Sequence, residues 1–88
     1  MIVGKVVGSV VSTRKNENLV GCKFMVVEPI AELGNPSEKF VAVDNVGAGI
    51  GEMVLVATGS AARIGCNLDN APVDAAIVGI IDDAIGLE

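Results

Sequence analysis

The sequence contains no histidine, no tryptophan and no tyrosine, and its only aromatics are Phe24 and Phe40. Without histidine it lacks the commonest general base and the commonest metal ligand. Cations are scarce as well. Six Lys and Arg stand against eleven Asp and Glu, a net charge of −5, which argues against a phosphate backbone as partner because Lys and Arg supply that affinity. A barrel that binds single strands needs stacking aromatics over a basic groove, and both phenylalanines fall in apolar strand segments. No apolar run approaches the ~20 residues needed to span a bilayer; the longest is Met53-Val54-Leu55-Val56-Ala57. The start, Met1-Ile2-Val3-Gly4-Lys5, lacks the charged lead and apolar core of a signal peptide. Cys22 and Cys66 lie far apart without the paired spacing that zinc requires. Two free thiols in a reducing cytosol are the expectation, with no metal, no cofactor, no membrane and no nucleic acid.

What the chain does have is aliphatic bulk. Hydrophobic residues make up 51% of it, including fifteen Val and eight Ile, β-branched side chains that pack best on a pleated surface. At 88 residues a single domain over 1–88 is expected, and a domain this small buries roughly two-thirds of its surface or less. Either a tight barrel or a subunit interface must hide the surplus, and small chains often meet that shortage by oligomerising. A self-sufficient monomer is the alternative. Charge is uneven: residues 1–40 carry net +1 and residues 41–88 net −6, with Arg63 the only cation after Lys39.

Period-2 patterning dominates the chain. Strands are expected over 2–12, 23–28, 40–46, 52–58 and 75–82. In the first of these Gly4 and Gly8 suggest a bend or bulge. Residues 13–18 form a turn and 29–39 a loop built on Gly34-Asn35-Pro36-Ser37. Gly47–Gly51 is a glycine-rich turn, 59–63 one helical turn with Ser60 as N-cap, and 65–73 a polar loop. The segment 75–82 also fits a helix by periodicity, and β-branching favours strand. The architecture expected is all-β: a small five-stranded barrel of the oligonucleotide/oligosaccharide-binding (OB) type with at most a short helical turn. Closure removes the edges that such a valine-rich chain could hardly leave open.

The run Gly47-Ala48-Gly49-Ile50-Gly51-Glu52 invites a dinucleotide reading. That fingerprint needs G-x-G-x-x-G between a strand and a helix, whereas here the spacing is G-x-G-x-G and a strand follows. Glycines permitting positive φ in a turn between strands explain it better, and Asp44 and Glu52 flank it with the wrong sign for an anion nest. Ser60 has no base near it in sequence to make it a nucleophile. Arg63 either meets a carboxylate within or between subunits or is a solvated surface charge. Adjacent Asp82 and Asp83 point to opposite faces of a strand and cannot act as an acid/base pair. Asx-turns account for Asn67, Asp69 and Asn70.

Several segments together carry a resemblance. They are Gly4-Lys5-Val6-Val7-Gly8, Thr13-Arg14-Lys15, Leu19-Val20-Gly21, the block Asp44-Asn45-Val46-Gly47-Ala48-Gly49-Ile50-Gly51-Glu52, then Val54-Leu55-Val56, Gly59-Ser60-Ala61-Ala62-Arg63, and Pro72 to Asp82. Nearly end to end, the chain resembles the EutN/CcmL family, the pentameric vertex proteins of bacterial microcompartments such as carboxysomes and ethanolamine-utilisation bodies. Ala61 departs from the second serine common in the family. The resemblance implies a barrel assembled as a homo-pentamer in a microcompartment shell, without enzymatic activity or cofactor, beside hexameric shell proteins. It also implies that Asp44, Gly47, Gly49, Gly51, Glu52, Ser60 and Arg63 shape the subunit interface or the axial loops. The rival readings are an OB-like nucleic-acid-binding module and a small non-catalytic ligand-binding subunit.

Overall fold

The computed structural model describes residues 1–11, 17–19, 21–30, 38–65 and 74–82; for Asn18 and residues 63–65 it describes the backbone alone. Residues 13–16 of the turn expected over 13–18, residues 31–37 of the loop expected over 29–39, residues 66–73 of the polar loop expected over 65–73, with Cys66 and Asp69, and Asp83 lie outside these residues.

The chain folds into strands β1 (Ile2–Val10), β2 (Lys23–Pro29), β3 (Phe40–Asp44), β4 (Met53–Thr58) and β5 (Ala75–Ile80). A 3-10 turn at Glu17–Leu19 precedes β2, and helix α1 (Ser60–Gly65) lies between β4 and β5. The strands close in the order β1-β2-β3-β5-β4. All pairings are antiparallel except β3 with β5, which run parallel and share only Val43↔Ala76 and Asp44↔Ile77. The five-strand barrel expected from the alternation is therefore present, and the segment that also fitted a helix is strand β5.

The barrel interior is filled almost entirely by aliphatics. Val6, Val27, Val54, Val56 and Ile77 are fully buried, joined by Met25, Ala42, Ala48 and Ala75, with Ile2, Phe40 and Ile80 packed against them. A second, smaller cluster lies outside the barrel wall. There Ala62 of α1 packs with Val43 and Ala76, and Leu19, Cys22 and Phe24 close the layer. A six-residue helix has little stability of its own; burial of Ala62 against the sheet holds it. Both phenylalanines are thus packing residues.

Strand ends differ from expectation for identifiable reasons. β3 stops at Asp44 rather than Val46 because Oδ1 of Asp44 itself accepts the amides of Val46 and Gly47, which removes those donors from any ladder. β2 runs one residue further, to Pro29, opposite Gly4. There a Cβ on Gly4 would stand 2.6 Å from Cγ1 of Val27, so the close approach of β1 and β2 requires glycine. The irregularity expected in β1 is a bulge between Val6 and Gly8. Helix α1 is entered through Gly59, at φ 65°, whose carbonyl accepts the Ala62 amide at 3.1 Å. Ser60 is consequently the first helical residue and not the cap.

Candidate functional site

The turn joining β3 to β4 crosses one mouth of the barrel. Asp44, at the end of β3, aims Oδ1 into it and accepts three successive backbone amides: Val46 at 3.0 Å, Gly47 at 3.0 Å and Ala48 at 3.2 Å. From the other side Glu52 reaches back, with Oε1 accepting the Gly49 amide at 2.6 Å while its own amide donates to the Gly49 carbonyl at 3.2 Å. Gly47 at φ 81° and Gly51 at φ 95° occupy the left-handed region where a Cβ is strained. Gly49 serves differently: a Cβ there would come within 3.3 Å of Oε1 of Glu52, so its bareness admits the carboxylate.

This geometry turns the sequence argument about anions around. The turn is an amide nest of the kind that binds phosphate or carboxylate, and its ligand is already in the chain. The two acids that seemed to repel an external anion are the anions that the nest holds. Charged acceptors make the stronger class of hydrogen bond, so the turn is fixed locally.

The fixed turn is also anchored to the barrel. Gly51 N–H donates to Val6 O at 2.7 Å and Val6 N–H donates to Glu52 O at 2.9 Å, continuing the β1–β4 pairing past Lys5↔Met53. Ala48 is buried and belongs to the core, so the turn plugs the mouth it crosses. Beside it a cleft of about 410 Å³ is lined by Val10, Val11, Lys23, Phe24 and Ala48, among others.

Five of the seven residues singled out from the sequence, Asp44, Gly47, Gly49, Gly51 and Glu52, therefore form one structural unit. Ser60 and Arg63 do not join it. They lie on α1, which follows the far end of β4, about 17 Å along that strand from the glycine-rich turn. Ser60 is exposed; the side chain of Arg63 lies outside the described residues.

Sequence reasoning singled out no apolar surface residue. Yet Val7, Val10, Val11, Val46 and Ile50 are all exposed at this same barrel end. The available signal was Ile50 itself, a large aliphatic inside a glycine-rich turn. Val7 carried none, because it stands beside an identical Val6 and nothing in the two residues says which faces inward.

Among the described residues no group of three or more His, Cys, Asp or Glu could hold a metal ion, and no helix is long and apolar enough to cross a membrane. Cys22 is a free thiol.

Comparison with known proteins places this geometry. Residues 1–82 match the family model described as ethanolamine utilisation protein EutN/carboxysome. The bacterial microcompartment shell vertex protein GrpN of Rhodospirillum rubrum is 51% identical over 83 residues, covering 93% of each chain. The solved structure of CcmL from Nostoc sp. PCC 7120 superposes with a TM-score of 0.88 at 46% identity, covering 99% of this chain and 95% of that one. A solved structure described as the GrpN pentameric microcompartment shell protein from Rhodospirillum rubrum gives a TM-score of 0.83 at 48% identity, covering 96% of both chains.

Proposed function

The chain belongs to the EutN/CcmL family, and from that premise we propose that it is a structural shell protein of a bacterial microcompartment, forming pentamers that cap the vertices of a polyhedral shell. The carrying observation is the likeness to a pentameric shell protein, which spans 96% of both chains at a TM-score of 0.83.

The physical argument runs the same way. A flat layer of hexagonal tiles cannot close on itself, and pentagons inserted at its corners supply the curvature. The neighbours of such a pentamer are hexameric shell proteins. A ring needs a heterologous contact, in which two different surfaces of one subunit meet its neighbours head to tail. A closed barrel with a self-ligated turn is a stiff unit for that task, and stiffness in the bound geometry reduces the cost of association. The role is architectural rather than catalytic: the two carboxylates of the turn are engaged with backbone amides.

Within the ring, Asp44, Gly47, Gly49, Gly51 and Glu52 shape a subunit contact or the axial region as one rigid loop, and Ser60 and Arg63 contribute from α1. The measurement that tests the reading is the mass of the intact assembly by native mass spectrometry, expected at five times the chain mass of 8.9 kDa. Co-expression with hexameric shell proteins should give closed particles in its presence and open sheets or tubes in its absence. A monomer at micromolar concentration, or a hexamer, contradicts the proposal.

A further inference from the structure

The five pairings that close the barrel are unequal. Four are antiparallel and share four to six residue pairs each. The fifth, β3 with β5, is parallel and among the described residues shares only Val43↔Ala76 and Asp44↔Ile77. A parallel ladder is the less stable kind per residue, so backbone pairing closes this line of the wall least firmly. The second apolar cluster lies on its outer side. Val43 and Ala76, one of the two seam pairs, pack there with Ala62, which is fully buried. Two short elements far apart in sequence meet at that point. Helix α1 arrives from the β4–β5 side, where Gly59 donates to the Asp74 carbonyl at 2.8 Å and accepts the Ala62 amide at 3.1 Å. The 3-10 turn arrives from the β2 side: the Leu19 carbonyl accepts the Cys22 amide at 3.0 Å, and Leu19, Cys22 and Phe24 complete the layer.

We infer that α1 and the Glu17–Leu19 turn form a clasp that holds the β3–β5 seam shut, and that the folded barrel opens locally at this seam. With two backbone pairs across the line, side-chain packing over Val43 and Ala76 carries the closure. The clasp is also the part that yields first. A six-residue helix and a three-residue turn are far below the length at which a helix persists alone in water, so each is held only by the packing it supplies. Elements held in this way open at lower free energy than core strands. The opposite wall differs. β1 shares six residue pairs with β2 and four with β4, and its Val6 is fully buried in the main core. Opening at the seam therefore leaves β1 paired on both sides. Helix α1 also carries Ser60 and Arg63, so a contact made on that helix from outside bears on the closure of the wall by shifting the open and closed populations.

The test is residue-resolved amide hydrogen exchange of the wild type and Ala62→Gly over a series of low urea concentrations, at one fixed protein concentration, with circular dichroism to follow folding. In the wild type, amides that donate across the β3–β5 seam should exchange faster than the ladder amides of β1. Their rates should be nearly independent of urea, because a local opening exposes little surface, while those of β1 rise steeply with it. Ala62→Gly should remain folded and speed seam exchange by roughly fivefold or more, the factor that the lower helix propensity of glycine supplies before the lost methyl contact is counted. Should Ala62→Gly fail to fold, Leu19→Ala loosens the clasp from its other side with the same readout, and the wild-type urea series needs neither variant. Seam amides as slow and as urea-dependent as those of β1, or seam exchange unchanged by the clasp variant, overturns the inference.

Discussion

One carboxylate oxygen of Asp44 fixes the position of Ala48: Oδ1 accepts the Ala48 amide at 3.2 Å, and Ala48 is the buried residue that plugs the barrel mouth. The same oxygen holds Val46 and Gly47, so one side chain ends a strand, shapes a turn and closes the core.

Asp44→Ala should therefore destabilise the fold by about 1–3 kcal/mol, the cost of removing a charged acceptor from three amides, of which that of Ala48 is partly buried. Asp44→Asn, which keeps an acceptor oxygen, should recover much of the loss. The midpoint of urea unfolding at one fixed protein concentration measures both.

Gly51→Ala forces a Cβ into a φ of 95° and should cost about 1–2 kcal/mol. Gly49→Ala should cost less, because the atom that its Cβ would meet at 3.3 Å is the movable Glu52 carboxylate. An equal loss for the two variants would show that conformation at Gly51 is not the governing term. Thermal unfolding of both, at matched concentration, makes the comparison.

Ile77 is among the largest fully buried side chains, at the strand that closes the barrel. Ile77→Ala should cost about 2–5 kcal/mol and Ile77→Val about 0.5–1.5, read from denaturant unfolding. The strand content in far-ultraviolet circular dichroism should persist in the valine variant.

Most of the strands were legible in the sequence because alternating valines such as Val54 and Val56 declare an inward face. So were the starts of β1, β2, β3 and β5 and the end of β4, but the other strand ends were not. The end of β3 depends on where the Asp44 side chain turns, a choice made between groups two to four residues apart and invisible to periodicity. Strand and helix could not be separated over residues 75–82 by pattern alone, since partnership with β3 and β4 decides it and those partners are distant in the chain. The glycine-rich block was found because its members are contiguous, but its chemistry was inverted: carboxylates read as excluding a ligand are the ligand. The exposed valines went unseen because Val6 and Val7 are alike in the sequence, and only the pairing of Val6 with Val27 shows which of the two faces inward.

Arg63 tests the family-based part of the site. If it bridges a carboxylate at a subunit contact, Arg63→Ala should shift the assembly toward smaller species on dilution, and Arg63→Lys should restore it only in part, since an ammonium lacks the bidentate fork. Losing a buried pair costs about 3–5 kcal/mol against about 0–1 for an exposed one. Size-exclusion chromatography across dilutions separates these outcomes, and identical elution at every dilution marks Arg63 as an ordinary surface charge. In the same series the wild-type melting temperature should rise with protein concentration, as mass action requires of an assembly.

The place of β5 between β3 and β4 sets the timing of biogenesis. Among the described residues, the last strand in chain order is the one that seals the wall, so a nascent chain that has emerged only through α1 carries two unsealed strand edges and a half-covered valine interior. Hairpin β1–β2 and its β3 neighbour can pair early, being close in sequence, whereas closure waits for residue 80 and for the distant β3–β5 contact. A closed barrel thereby waits for β5. Truncation before β5 should produce an aggregating species rather than a smaller subunit, because its open edges resemble those through which incomplete sheets associate.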